Sequence, residues 1–145
     1  VSIDPATRPR ITIFSDNLPG CPTNIRGTSH GTYWVGIALV RHSGIPNSMD
    51  QFSNNPQARA RTYYTDSLEK IRTYYPFYGL AVEVNDRGEI IGSLHDPTGR
   101  IFASVSEATE IEGLLYIASG STPFVARLVL PVIGGRTITN DSIQL

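Results

Sequence analysis

The sequence predicts an all-β fold broken once by a short helical insertion, and three observations carry that expectation. Short runs rich in Val, Ile, Thr and Tyr recur along the chain, each bounded by Gly, Pro, Asn or Asp. Between Arg41 and Tyr75 the composition changes to a polar stretch with helix-start signals. When that stretch is set aside a repeat emerges: SHGTYWVGIA aligns without gaps on IEGLLYIASG, placing Gly31 on Gly113 and Trp34 on Tyr116, an offset of 82 in both cases (113 − 31 and 116 − 34). Without the insertion the period is about 47 residues, the size of a four-stranded propeller blade. About two blades of a β-propeller are therefore expected, too few to close a ring, since propellers use about four to eight.

The elements follow in order. RITIFSD alternates Ile11 and Ile13 against Thr12, predicting an outer strand over Arg10 to Asp16 that ends at the turn cluster NLPGCP. TNIRGTS and TYWVGIALV read as a hairpin across His30-Gly31. In the insertion, Pro56 is placed as a first-turn proline and Asp66 with Glu69 as a capping box, predicting two or three short helices. Leu68, Ile71 and Tyr75 make one apolar face, expected to pack on the rest of the domain; a lid or a membrane-touching surface is the other reading. YGLAVEVND and GEIIGSLHD form a second hairpin across Asp86-Arg87-Gly88, with Leu80, Val82 and Val84 on one face. ASVSEATEI and LLYIASGS form a third around Glu112-Gly113, and FVARLVLPV is one more strand. The chain divides into a partial propeller over 1–133, with its insertion at 41–75, and a polar tail over 134–145.

Composition narrows the partners. The 145 residues are 40% hydrophobic, enough to pack one core. A net charge of -1 and a pI near 6.3 supply no basic footprint, so nucleic acid is not an expected partner. No window reaches the roughly 18 to 20 apolar residues of a membrane-spanning helix. The chain begins at Val1, so any targeting segment would lie upstream. Cys21 has no second cysteine to pair with and reads as a small loop thiol.

Three signals stand together between Pro19 and Gly36. Gly27-Thr28-Ser29-His30-Gly31 has the spacing of a nucleophile elbow, but a β-rich run follows Ser29 where an elbow needs a helix, so the glycines are read as hairpin residues. Tyr33 and Trp34 alternate across a strand and are expected to pack in the sheet. Asn24 follows a proline-containing turn at the start of an inner strand, and two readings stand: a turn residue, or a side-chain oxygen facing a central channel, where calcium takes six to eight such ligands.

The stretches LPGCPTNIRGTSHGTYWVGIA, GEIIGSLHDPTGRIFASVSEATEIEGLLYIAS and STPFVARL resemble the C-terminal part of the strictosidine synthase-like family, over about Ile11 to Leu130. The resemblance implies a six-bladed propeller related to calcium-dependent paraoxonases, of which this chain is roughly the last third. It implies hydrolysis of a small ester or lactone with Ca²⁺ as cofactor, or a non-catalytic binding propeller, or, less in keeping with the residues, an amine–aldehyde condensation. It also implies an endomembrane, membrane or secreted location, with membrane association through an N-terminal segment outside this chain.

The family's P-D-N-I-R pattern falls on Pro22-Thr23-Asn24-Ile25-Arg26, and its metal-ligand role carries to Asn24. Thr23 stands where relatives have an aspartate, a lost charge that should weaken calcium binding. The repeat offset brings Ser106 to the register of Asn24, where strictosidine synthases place a catalytic glutamate. A hydroxyl cannot do that acid/base work, which argues against condensation chemistry. Ser106, Thr23 and Glu107 are thus expected to line the channel, although strict alternation would turn Glu107 away from the side that Ser106 faces. Relatives carry histidines where this chain has Thr109 and Ile111. Of the histidines present, His95 is expected to stabilise a turn at an outer strand end, His30 lies in a hairpin turn and His42 begins the insertion. The insertion should share a face with Asn24 and act as a lid. Asn140-Asp141-Ser142 has the form of a glycosylation sequon, compatible with secretion.

Overall fold

Gly20 and Gly31 frame the first hairpin: β1 (Gly20–Gly27) turns into β2 (Tyr33–Val40), and Gly31 adopts the positive φ of 81° that suits a glycine. The computed structural model describes residues 11–42, 48–73, 77–130, 132–133, 136–137 and 141–144. After β2 the chain leaves the sheet for α1 (Ser48–Gln51), α2 (Pro56–Thr65) and α3 (Leu68–Arg72), then returns as β3 (Gly79–Val84) and β4 (Ile90–Asp96). β1 to β4 are hydrogen-bonded antiparallel in sequence order. A second meander of β5 (Val105–Ile111), β6 (Leu114–Ser119) and β7 (Ala126–Val129) repeats the pattern as a separate sheet. Two successive up-and-down sheets, packed face to face, are consecutive propeller blades.

The seam between the blades is the core. Trp34, Ala81 and Leu94 of the first sheet are buried against Phe102, Val105, Ala108, Leu115, Ile117 and Leu130. Trp34 is fully enclosed, and burying a large apolar side chain of this kind contributes roughly 1.5–3 kcal/mol. The first blade's opposite face carries Val35, Ile37, Leu80, Val82 and Val84, as the alternation at 80, 82 and 84 predicts. The turn after β6's hairpin partner β5 uses Glu112 and Gly113, both at positive φ.

Several local expectations are corrected. Residues 11–16 form no strand; Ile11 and Ile13 are 94% and 82% exposed, and among the described residues no strand pairs with them. Arg10 lies outside the described residues. Cys21 lies within β1, paired with Leu39, rather than in a loop. The capping box is displaced by one residue: Ser67 caps α3 by accepting from the Lys70 amide, while Asp66 closes α2 and meets Lys70 Nζ at 2.9 Å. Pro56 does begin α2, behind an Asn55 cap that accepts from the Ala58 amide. The helical face is not packed as expected. Leu68 is 78% exposed and α2 buries no residue, and among the described residues the helices make no extensive contact with the strands. Tyr75 and Asn140 lie outside the described residues. In the stretch read as a polar tail, β9 (Arg136–Thr137) pairs with β8 (Val132–Ile133), and β10 (Asp141–Gln144) runs parallel to the outer edge of β4.

Candidate functional site

β1 and β5 are the innermost edges of their sheets and lie against each other, so together they form the wall that faces a ring's centre. β1 is exposed from Pro22 to Gly27. Both strands carry irregularities at the same level. Pro22 has no amide proton for the ladder, and the β1–β2 register shifts between Pro22 and Ile25; the β5–β6 register shifts between Val105 and Glu107. Such bulges break alternation and re-aim side chains.

The four expected site residues are brought together by these bulges. Asn24 Nδ2 donates to the Ser106 carbonyl at 2.9 Å. A carbonyl can only accept, so the amide nitrogen must face Ser106, and Oδ1 is left without a protein partner among the described residues. The Thr23 hydroxyl lies 2.9 Å from the Gly36 carbonyl and 3.0 Å from the Val105 carbonyl, stitching the blades together. The Ser106 hydroxyl donates to Ala118 O at 3.1 Å, inside its own blade. Glu107 Oε2 receives Arg26 Nη2 at 2.7 Å, and Thr109 Oγ1 lies 3.2 Å from its other oxygen. The irregularity in β5 falls between Val105 and Glu107, where strict alternation does not hold.

These contacts decide what each residue has left to offer a ligand. Asn24 Oδ1 is a hard, neutral oxygen on an exposed strand and fits calcium's preference. Thr23 and Ser106 spend their hydroxyl protons on backbone carbonyls, and Glu107 is engaged by Arg26. Among the described residues no group of three or more His, Cys, Asp or Glu is placed to hold a metal. Of the four, Asn24 is the residue whose side chain keeps an oxygen, Oδ1, without a protein partner among the described residues.

Two clusters escaped the sequence. Glu110, its side chain 5% exposed, accepts the Trp34 indole N–H at 3.2 Å, with His30 Nε2 3.9 Å away, so the buried tryptophan also ties the blades by a polar bond. The other lies at the neck of the insertion. Arg41 meets Asp50 through Nε at 2.7 Å and Nη2 at 3.0 Å, and donates to Leu18 O at 3.2 Å. The hydrogen bond to Arg41 holds the Asp50 carboxyl below its usual range. Across the neck, the His42 and Tyr78 rings approach to 5.4 Å. Tyr78 Oη is 2.9 Å from His95 Nδ1, and His95 Nε2 is 2.9 Å from Ser93 Oγ. Burial lowers the His95 pKa and, with Asp96 nearby, raises that of Tyr78. His95 thus fastens the neck, and the turn role expected of it belongs to Asp96. Asp96 accepts from Ile101 N, Phe102 N, Thr98 N and Thr98 Oγ1. Only i, i+2 spacing of Ser93 and His95 on one strand face hinted at the cluster.

Known proteins are similar to this chain over most of its length. The rat and human adipocyte plasma membrane-associated proteins are 40% and 36% identical to this chain over 121 residues, covering 83% of it and 32% and 29% of themselves. The Arabidopsis thaliana protein strictosidine synthase-like 2 is 31% identical over 116 residues, 77% of this chain and 30% of its own length. The chain thus spans about a third or less of the length of these relatives. No profile of a known family and no solved structure matches it. The paired blades, the Asn24 wall and these relatives together show that the chain belongs to the strictosidine synthase-like family, in its adipocyte plasma membrane-associated branch.

Proposed function

We propose that the protein to which this chain belongs hydrolyses small esters or lactones, of the aryl ester kind, with Ca²⁺ in the channel of a six-bladed ring. The observation that carries this reading is Asn24, whose amide is locked by Ser106 O with Oδ1 left open on the inner wall. Bound calcium would polarise the substrate carbonyl and stabilise the developing oxyanion. This chain's residues would hold the inner wall rigid: Thr23 and Asn24 fix β1 to β5, and Arg26 fixes Glu107 beside them. The other ligands and a general base would come from other blades, so these two blades alone should be inactive. The relatives' names, plasma membrane-associated, favour a membrane as the working location.

The test is turnover of phenyl acetate and a small lactone by the full-length protein, with and without a calcium chelator. Turnover that disappears on chelation and falls at least ten-fold in Asn24→Ala supports the proposal; turnover indifferent to both sinks it.

One observation favours a second reading, a binding propeller without turnover. The Thr23 side chain points at two carbonyl oxygens, where an aspartate would be repelled, so this wall lacks the anionic oxygen that relatives are expected to offer beside the neutral Asn24 Oδ1. Calcium would then raise the thermal midpoint without any turnover.

A further inference from the structure

We propose that Arg26 is a positioning residue for Asn24: its ion pair with Glu107 holds the Ser106 carbonyl where it locks the Asn24 amide and leaves Oδ1 open. The consequence for calcium rests on the hydrolase reading; the positioning itself does not. Neither partner of the Asn24–Ser106 bond is held by its own ladder. Thr23 and Asn24 fall between the paired positions Pro22 and Ile25 of β1, and Ser106 falls between Val105 and Glu107 of β5, where both registers shift. Backbone at such irregularities is left unpaired. Among the described residues no ladder joins β1 to β5 either, since the two strands belong to separate sheets.

Side chains therefore set how the two irregular segments face each other, and three contacts lie in order along them. Thr23 Oγ1 reaches Val105 O at 3.0 Å, Asn24 Nδ2 reaches Ser106 O at 2.9 Å and Arg26 Nη2 reaches Glu107 Oε2 at 2.7 Å. The Asn24 contact is the middle one, and the Arg26 contact is the charged one. Glu107 is steadied in turn, with Thr109 Oγ1 3.2 Å from its other carboxylate oxygen. The Ser106 carbonyl is part of the planar peptide unit that joins Ser106 to Glu107, so anchoring Glu107 fixes the acceptor that Asn24 uses.

The sign of the effect separates positioning from charge. Arg26 is a cation beside Asn24 on the wall, so electrostatics alone makes its removal favour a bound cation and leaves the Glu107 carboxylate free to help. Positioning predicts the reverse: without Arg26 the Ser106 peptide is released, the Asn24 amide rotates and Oδ1 is no longer presented. The Arg26 and Glu107 side chains are 52% and 24% exposed, and breaking so exposed a pair changes global stability little.

The experiment uses the full-length protein, isotope-labelled at asparagine nitrogen. It follows hydrogen exchange of the Asn24 side-chain amide, identified by its absence in Asn24→Ala, and calcium affinity by titration calorimetry. Arg26→Gln should speed that exchange and weaken calcium binding by about two- to five-fold, with a thermal midpoint within about 2 °C of the parent's. Arg26→Lys keeps a cation able to make this single N–H···O contact and should match the parent in both. Unchanged exchange in Arg26→Gln overturns the proposal, as do calcium binding that tightens in Arg26→Gln and a lysine variant as impaired as the glutamine one. A parent that binds no calcium sinks the hydrolase reading alone, and the exchange rates still decide the positioning.

Discussion

Asn24 Nδ2 and the Ser106 carbonyl meet at 2.9 Å across the seam between two blades, and the residues stand 82 positions apart in the chain. Thr23 and Val105 meet beside them with the same separation. The offset read from aligned sequence repeats is therefore also the offset of physical contact along the inner wall. Removing the amide in Asn24→Ala should cost about 1 kcal/mol, the ordinary net worth of a hydrogen bond, because the site is exposed and water can replace the donor. Chemical denaturation followed by the single tryptophan, Trp34, reads this directly, since that ring is buried in the same seam.

Thr23→Asp should be worse than Thr23→Val. The hydroxyl has one proton between two acceptor oxygens at 2.9 and 3.0 Å. Valine removes the bond, at about 1 kcal/mol, while a carboxylate brings negative charge against both carbonyls with no donor, at about 1–3 kcal/mol. Equal midpoints for the two variants would show that Thr23 does not stitch the seam.

The fold was legible because its signals are local. Gly31, Asp86-Arg87-Gly88 and Glu112-Gly113 all mark turns by backbone preference, and the alternation of Leu80, Val82 and Val84 marks a buried face. What failed was whatever depended on a neighbour. RITIFSD has strand-like alternation, but a strand also needs a partner edge, and Ile11 and Ile13 have none. Leu68 and Ile71 have helical spacing, but spacing does not say whether a surface is near enough to bury them. At the site, the repeat brought Asn24 and Ser106 to one level, whereas the bulges that couple Glu107 to Arg26 come from pairing irregularities that no periodicity reveals. The Tyr78–His95 contact joins two strands through side chains whose types are common in ordinary cores.

Trp34→Phe should destabilise the seam beyond the change in ring size. Phenylalanine fills much of the volume but has no N–H, leaving the nearly buried Glu110 carboxylate without its 3.2 Å donor. Stranding a buried charged acceptor costs about 1–3 kcal/mol or more. Trp34→Phe combined with Glu110→Leu should recover part of that loss in a denaturation series, because both halves of the polar bond are then gone.

Asp96→Ala should be among the most damaging single changes. Asp96 is 1% exposed, and its carboxylate receives three backbone amides and the Thr98 hydroxyl. Its removal orphans the amides of Ile101 and Phe102 just where the chain crosses from the first blade to the second. A cost of about 3 kcal/mol or more follows from several lost charge-assisted bonds. A shift in midpoint no larger than that of Asn24→Ala would refute the assignment.

The neck should loosen as pH falls. Burial depresses the His95 pKa below 6.5, so folding favours neutral imidazole. Below pH about 6.5 the unfolded chain binds the proton more readily, and stability is lost until the folded-state pKa is passed. Protonation puts an N–H on both ring nitrogens, so whichever of Tyr78 Oη and Ser93 Oγ donates to the neutral ring must then turn. The groups facing this ring are Tyr78, Ser93 and, beyond the phenol, His42 and Asp96. The depressed carboxyl of Asp96 acts in a separate window, below pH about 4. His95→Gln should flatten the stability profile between pH 7 and 5, roughly the range in which an unperturbed histidine titrates. Hydrogen exchange at Tyr78 and Gly79 should quicken over the same range in the parent alone. A parent profile already flat there would assign the neck's strength to Arg41 and Asp50 instead.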